Sequence, residues 1–236
     1  MSGKQAKIAA ALALVPAVAY PATWLIGRRW GATRDEIERT LPGDALVPRA
    51  DWQTAMAVTI DAPPEQIWPW LVQMGVDRAG LYSLLWVENG VFHLGVKNAD
   101  RIHPEWQDLK VGDIVAFMPE GYPGGRRGPL VTEIDPSRAL VLCLGDDLAH
   151  CPGSWQFILE GQWNGSTRLL LRSRTSADRS FWSRLPDLIL EPGYAVMNVA
   201  MLLGIKARVE RAACYDEPSI PQTVDGFAGP SGRKAA

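Results

Sequence analysis

Residues 53–75 read QTAMAVTIDAPPEQIWPWLVQMG, and the fold turns on how this stretch is read. From Gln53 to Asp61 apolar and polar residues alternate, with Met56, Val58 and Ile60 on one face, which is the period of a half-buried strand. Asp61-Ala-Pro-Pro-Glu65 then supplies an N-cap and prolines, whose fixed φ and missing N–H suit the first turn of a helix. Ile67, Trp68, Leu71, Val72 and Gly75 recur at helical spacing. A strand therefore passes directly into a helix.

Working outward, Gly80 to Phe92 predicts a second short helix with Gly90 as its stop, and Asn98 to Asp113 is polar and rich in turns. Ile114–Phe117 predicts a short strand, followed by the loop EGYPGGRRGP at 120–129. Further strands are expected at 130–134, 139–144, 154–160 and 167–173, the last two joined by an Asn164-Gly165 hairpin turn. Leu185 to Ala213 predicts a long helix interrupted at Glu191-Pro192-Gly193. Upstream, Thr33 and Glu36 form a capping box that opens a short helix to about Arg39, ended by Leu41-Pro42-Gly43-Asp44. Strand, two helices, several antiparallel strands and a long helix make an α+β domain, a curved antiparallel sheet around a long C-terminal helix. The expected organisation is an N-terminal apolar segment at 1–28, a connector at 29–50, the domain at 51–214 and a disordered tail at 215–236.

The 236 residues suit one domain with extensions. Hydrophobic residues at 47% and charged residues at 21% are the balance of a folded chain, and a net charge of −2 leaves nucleic-acid binding without an electrostatic footprint. Ten tryptophans can build a core or line a pocket. Cys143, Cys151 and Cys214 include no C-x-x-C pair, and no metal spacing and no cofactor motif is present. A Cys143–Cys151 bridge is geometrically open if the two flank a tight turn, but buried or idle thiols are the expectation.

Ile8 to Ile26 is an uncharged run, IAAALALVPAVAYPATWLI, between Lys4 and Lys7 on one side and Arg28 and Arg29 on the other. As a helix it would rise about 28 Å, close to the thickness of a hydrocarbon core. Ala17-Val18-Ala19 also fits a cleaved signal peptide. Continuation of the run through Leu25-Ile26 favours a single-pass N-terminal membrane anchor, and the Lys/Arg balance leans toward a cytoplasmic soluble domain.

Several segments together resemble the SRPBCC superfamily (START-like, helix-grip fold), and within it the members labelled polyketide cyclase/dehydrase-like. They are Arg29-Trp-Gly-Ala-Thr33, Leu41-Pro-Gly-Asp44, Trp68-Pro-Trp-Leu-Val-Gln-Met-Gly75, Arg101-Ile-His-Pro-Glu-Trp-Gln-Asp108, Val111-Gly-Asp113, Glu191-Pro-Gly193 and Met201-Leu-Leu-Gly-Ile-Lys206. The resemblance covers about Arg29 to Arg211 and implies a cavity between the C-terminal helix and the concave sheet. It implies no single activity, since the fold hosts carriers, receptors and cyclases.

On the C-terminal helix Met197, Ala200, Met201 and Gly204 fall on one stripe, an adaptable wall for an apolar ligand or an ordinary core face. Trp68, Trp70 and Trp86 are expected as an aromatic wall or, each equally, as core, with Gln73 and Tyr82 as polar residues near the cavity. Glu88, Asn89, Asn98 and Arg101 stand amid apolar sequence and would fix a ligand's polar end; Arg101 could equally pair with Asp100 or Glu105. Arg101, His103 and Glu105 are the weak catalytic candidates, His103 and Glu105 being an acid/base pair in a loop. Arg168, Arg172 and Arg174 share one strand face and are expected in solvent. The functional expectation is a membrane-tethered binder of a hydrophobic small molecule or lipid. A cyclase/dehydrase-type enzyme using the same cavity and an envelope-associated protein-interaction domain are the alternatives.

Overall fold

A computed structural model describes residues 27–145, 147, 150–176 and 181–216, with side chains over 193–213 in the last of these. Five strands, β1 (Trp52–Ile60), β2 (Leu130–Asp135), β3 (Ala139–Cys143), β4 (Gly153–Gly161) and β5 (Thr167–Thr175), form one curved antiparallel sheet of order β1-β5-β4-β3-β2. The helices are α1 (Arg34–Glu38), α2 (Pro64–Val72), α3 (Leu85–Gly90) and α4 (Phe181–Asp216). β1 and β5 pair without a slip from Trp52↔Thr175 to Ile60↔Thr167, and β5 pairs β4 over the same length. Gly165, at φ +86°, makes the Asn164-Gly165 turn that links them.

Alternation sorts the side chains by face. Met56, Val58 and Ile60 of β1 join Trp155, Phe157 and Leu159 of β4, Leu169 and Leu171 of β5, and Leu140 and Leu142 of β3 in the main core. α4 lies over this concave face, running beside β1, where Lys206 Nζ donates to the Thr59 carbonyl at 2.7 Å and Glu210 accepts from the Asp61 amide at 2.9 Å. Its buried residues are Ala195, Met201, Leu202, Ile205 and Val209. Of the stripe expected from Met197, Ala200, Met201 and Gly204, Met201 is buried in the core, Met197 and Ala200 are half-buried, and Gly204 meets the backbone of Tyr82. A Cβ at Gly204 would lie 2.0 Å from the Tyr82 carbonyl oxygen, whereas one at the exposed Gly193 would touch nothing within 4 Å. Gly204→Ala should therefore lose about 2 kcal/mol through overpacking, despite alanine's better helix propensity. Gly193→Ala should gain a few tenths to about 1 kcal/mol; urea denaturation of both variants reads the contrast.

The opposite, convex face is not in solvent. Residues 28–46 cross it. The Ala55 amide donates to Arg28 O at 2.8 Å and the Ala57 amide to Trp30 O at 3.0 Å, so the chain also closes the free edge of β1. The Thr33/Glu36 capping box forms as read. Glu36 pairs with Arg168 at 2.7 Å, and Asp44 pairs with Arg172 at 2.6 Å. The expectation that Arg168, Arg172 and Arg174 face water is thus corrected. They do share a face, but the stretch read as a connector covers it, and Arg172 is only 1% exposed.

Other departures have local causes. Ile114–Phe117 forms isolated bridges rather than a strand, because its partner segment includes Pro129, which has no N–H to give to a ladder. The helix in 80–92 shortens to Leu85–Gly90. The C-terminal helix runs unbroken through Glu191-Pro192-Gly193. Cys143 and Cys151 are joined in a disulfide, not idle: the β3–β4 pairing ends at Cys143↔Ser154 and the connecting loop returns Cys151 to within 5.5 Å (Cα–Cα). Closing so short a loop is worth about 2–3 kcal/mol in the chain-entropy account.

The expected single-pass anchor is not supported. Among the described residues no helix is long and apolar enough to cross a membrane. α1, α2 and α3 have nine residues or fewer, at most about 14 Å. α4 is long enough but carries Lys206, Arg208, Glu210 and Arg211 within it. The run Ile8–Ile26 that prompted the expectation lies outside the described residues, as does the tail from 217 onward.

Candidate functional site

The segment from Gln73 to Gln107 crosses from α2 to the edge of the sheet and carries most of the residues singled out in the sequence. Gln73 is its hub. The end of α2 places it at 0% exposure, where its amide has four partners. Nε2 donates to the Tyr82 hydroxyl (2.9 Å) and to Arg101 O (3.1 Å). Oε1 accepts from the His103 amide (3.0 Å) and from Gln107 Nε2 (3.4 Å). The Tyr82 hydroxyl donates to Trp70 O at 3.1 Å. Burial pushes the Tyr82 hydroxyl's pKa well up, so it is a neutral donor and not a base.

Tyr82 also has φ +57°, and its amide donates to Asn98 Oδ1 at 2.9 Å while Asn98 Nδ2 donates to Ser83 O at 3.1 Å. Asn89 makes a two-way bond with the Val96 backbone at 2.8 and 2.9 Å. The Arg208 guanidinium lies 5.0 Å from the Tyr82 ring centroid and donates to Ala99 O at 2.6 Å. Gln73 and Tyr82 are therefore bonded to each other, Asn98 to the Tyr82 and Ser83 backbone, and Asn89 to the Val96 backbone. All four brace the loop.

Glu88 is buried, accepts from Ser83 Oγ through Oε1, and has a buried Oε2 without a partner. Burial raises its pKa above the usual carboxylate range, against the lowering effect of Ser83. A raised folded-state pKa costs stability as pH climbs from the unfolded value, about 4.3, toward the folded one, and that cost persists above it. Glu88→Gln, which can still accept from Ser83, should raise the melting temperature at pH 7 and leave it unchanged below pH 4. Thermal melts across that range would show it.

The remaining candidates are scattered. Trp86, expected in the aromatic wall, is 69% exposed: α3 has six residues and turns this position outward. Trp70 is buried edge-on to Tyr82 (5.9 Å), and Trp68 is half-buried against the core. Arg101 is exposed and contributes its carbonyl to the network. His103 Nδ1 lies 3.1 Å from Glu105 Oε1, and its ring stacks on Trp106 at 4.2 Å. Glu105 is held below the usual carboxylate range by a backbone hydrogen bond first and by His103 second. Met201 is buried in the core and Met197 half-buried beside it.

What the sequence reading passed over is the far half of the concave face. Phe117, Trp155 and Phe157 form an edge-to-face chain with centroids 5.3 and 4.6 Å apart. α4 makes its close backbone approaches to β1 and α2, at the other side of the sheet. Ile102, Trp106, Leu144 and Val199 are among the half-buried apolar side chains packed on the same core. The alternation of Trp155, Phe157 and Leu159 along β4 is the signal that could have found the first two; Phe117 lies outside the strands, and only the tertiary structure places it against Trp155.

Five antiparallel strands in the order β1-β5-β4-β3-β2 grip one long C-terminal helix, with two short helices between the first and second strands. The fold is the helix-grip fold. No family model and no curated protein matches the chain. Similar solved structures include the Aha1 dimer from Colwellia psychrerythraea (17% identity, 67% of this chain and 96% of that one, TM-score 0.39). The Polyketide_cyc-like protein Cgl2372 from Corynebacterium glutamicum is another (12% identity, 70% and 95%, TM-score 0.39). So is protein MLL2253 from Mesorhizobium loti (19% identity, 71% and 100%, TM-score 0.39). At these scores the likeness is loose, and the fold reading rests on the chain's own topology.

Proposed function

We propose that the domain binds a hydrophobic small molecule or lipid between α4 and the far half of the concave sheet. The observation that supports this reading is the set of half-buried apolar side chains packed on the core that contains Trp155 and Phe157, among them Ile102, Trp106, Leu144, Val199 and Phe117, whose ring meets Trp155 edge-on. Apolar groups held partly open beside a core are what an apolar ligand would complete. The amide of Gln73 supports binding more than chemistry, because both its donors and both its acceptor sites are already engaged and it has none to offer a substrate. A cyclase-type reading draws on one observation, the His103–Glu105 pair stacked on Trp106.

Delipidated protein should bind a fluorescent fatty-acid analogue with one-to-one stoichiometry. Phe117→Ala should weaken it about tenfold, since a partly lost aromatic contact is worth about 1.4 kcal/mol. Trp163→Ala should leave binding unchanged, as Trp163 is 99% exposed. Equal affinity in the wild type and in Phe117→Ala would overturn the placement of the site. Turnover of a polyketide-like substrate that vanishes in His103→Ala would favour the second reading.

A further inference from the structure

The turn after α2 is closed by two backbone hydrogen bonds between Gly75 and Gly80, at 3.1 and 2.8 Å, with both glycines at positive φ. The ring curls its own side chains inward: a Cβ at Gly75 would lie 2.9 Å from Asp77 Oδ1 and 3.6 Å from Arg78 Nε. Asp77 is already taken. Arg126 donates to it from Nε at 2.6 Å and anchors itself to Ile114 O through Nη2 at 2.9 Å.

Arg78 has no such counterpart. Among the described residues no carboxylate lies within ion-pair distance of it, and its Nε is buried without an acceptor. The charges that act on it are the already paired Asp77, the exposed Asp113 and the like-charged Arg126. Its near neighbours in the chain, Val76 and Leu81, pack with Leu94, Val96 and Ala116 in an apolar cluster, and Arg78 itself is half-buried. Burial accordingly lowers its pKa from the ordinary value. An unpaired cation in such surroundings is costly. The contrast with Arg172 is direct, for that guanidinium has a carboxylate and three carbonyls around it.

We propose that Arg78 is a binding site for an oxyanion, a carboxylate or phosphate held by its guanidinium over the Gly75–Gly80 turn. Guanidinium forks bind such groups with paired N–H donors, and a bound anion would offset both the desolvation of Arg78 and its repulsion by Arg126. The inference stands apart from the apolar interior and does not require it.

The test titrates the full chain with inorganic phosphate and with dodecanoate, observing the Arg78 Nε–H resonance and the melting temperature. Both anions should shift that resonance and raise the melting temperature, less so as ionic strength rises. Dodecanoate binding at least tenfold tighter than phosphate identifies the headgroup of an amphiphile as the natural occupant; equal affinities identify a free anion. Arg78→Met should abolish the phosphate effects and the part of the dodecanoate effect that dodecanol does not reproduce, and raise the melting temperature of the ligand-free protein by about 2–4 °C, because it removes an uncompensated charge. Arg78→Lys, keeping the charge without the fork, should bind more weakly than the wild type but measurably. Wild-type affinity in Arg78→Met, or no anion binding to the wild type at all, overturns the site. Dodecanol, which has no charge, reports on the apolar interior alone and separates the two readings.

Discussion

Replacing Asp44 by alanine should cost about 3–5 kcal/mol of folding stability, a large part of what a domain of this size has to spend. The reason is Arg172. Its guanidinium is 1% exposed, and its donors reach Asp44 Oδ2 at 2.6 Å, Arg39 O at 2.9 Å, Glu36 O at 2.6 Å and Ile37 O at 3.2 Å. Without Asp44 a buried positive charge keeps only neutral acceptors. The same carboxylate also accepts from the Leu41 amide at 2.9 Å, so the turn that carries it is weakened too. The Arg174 guanidinium, 3.6 Å from Asp44 Oδ1, would lose its counterion at the same stroke. Arg172→Met should cost a similar amount by stranding Asp44 and three carbonyls. The double variant Asp44→Ala with Arg172→Met should be far less damaging than the sum, because no uncompensated charge remains buried. Urea denaturation of the four proteins yields the coupling. Additive losses, or single losses below about 1 kcal/mol, would mean that residues 28–46 do not hold the sheet's convex face as described.

This ion pair also marks where sequence reading stops. Alternation placed Arg168, Arg172 and Arg174 on one face, and it was right to do so. It could not tell what covers that face, because the partners Glu36 and Asp44 lie far away in the chain and alternation says nothing about layers. Net charge is equally blind to the pairing. The five strands, the hairpin turn and the capping box were legible because each depends on neighbours a few residues apart. Trp86 failed for the opposite reason: six residues of helix give too short a period to choose a buried face, so residue type alone pointed inward. For Cys143 and Cys151 the spacing permitted a bridge, and the hairpin geometry that decides it is a tertiary fact. The polar residues between Gln73 and Asn98 stood out in the sequence as polar groups in apolar surroundings. Their type could not say whether their partners would be a ligand or one another.

Gln73→Leu decides between those two roles, and its expected effect is the second largest. Leucine matches the volume but can neither donate nor accept. The change strands the Arg101 carbonyl, the His103 amide and one acceptor site on the Tyr82 hydroxyl. Each buried group left without its bond costs about 1–3 kcal/mol, although the half-open loop lets water recover part of it. A net loss of about 2–4 kcal/mol is expected, together with faster hydrogen exchange at the His103 amide. Tyr82→Phe, which removes only the hydroxyl between Gln73 and Trp70 O, should cost about 1 kcal/mol and leave that amide protected. If Gln73 instead served a ligand, Gln73→Leu would bind the fluorescent fatty-acid analogue more weakly while melting like the wild type. A brace predicts the reverse order of damage: stability and loop protection fall first, and affinity falls only as far as Ile102 and Trp106 lose their footing. The two residues flank His103, whose amide Gln73 holds, so this one substitution tests whether these apolar side chains are positioned by the polar network.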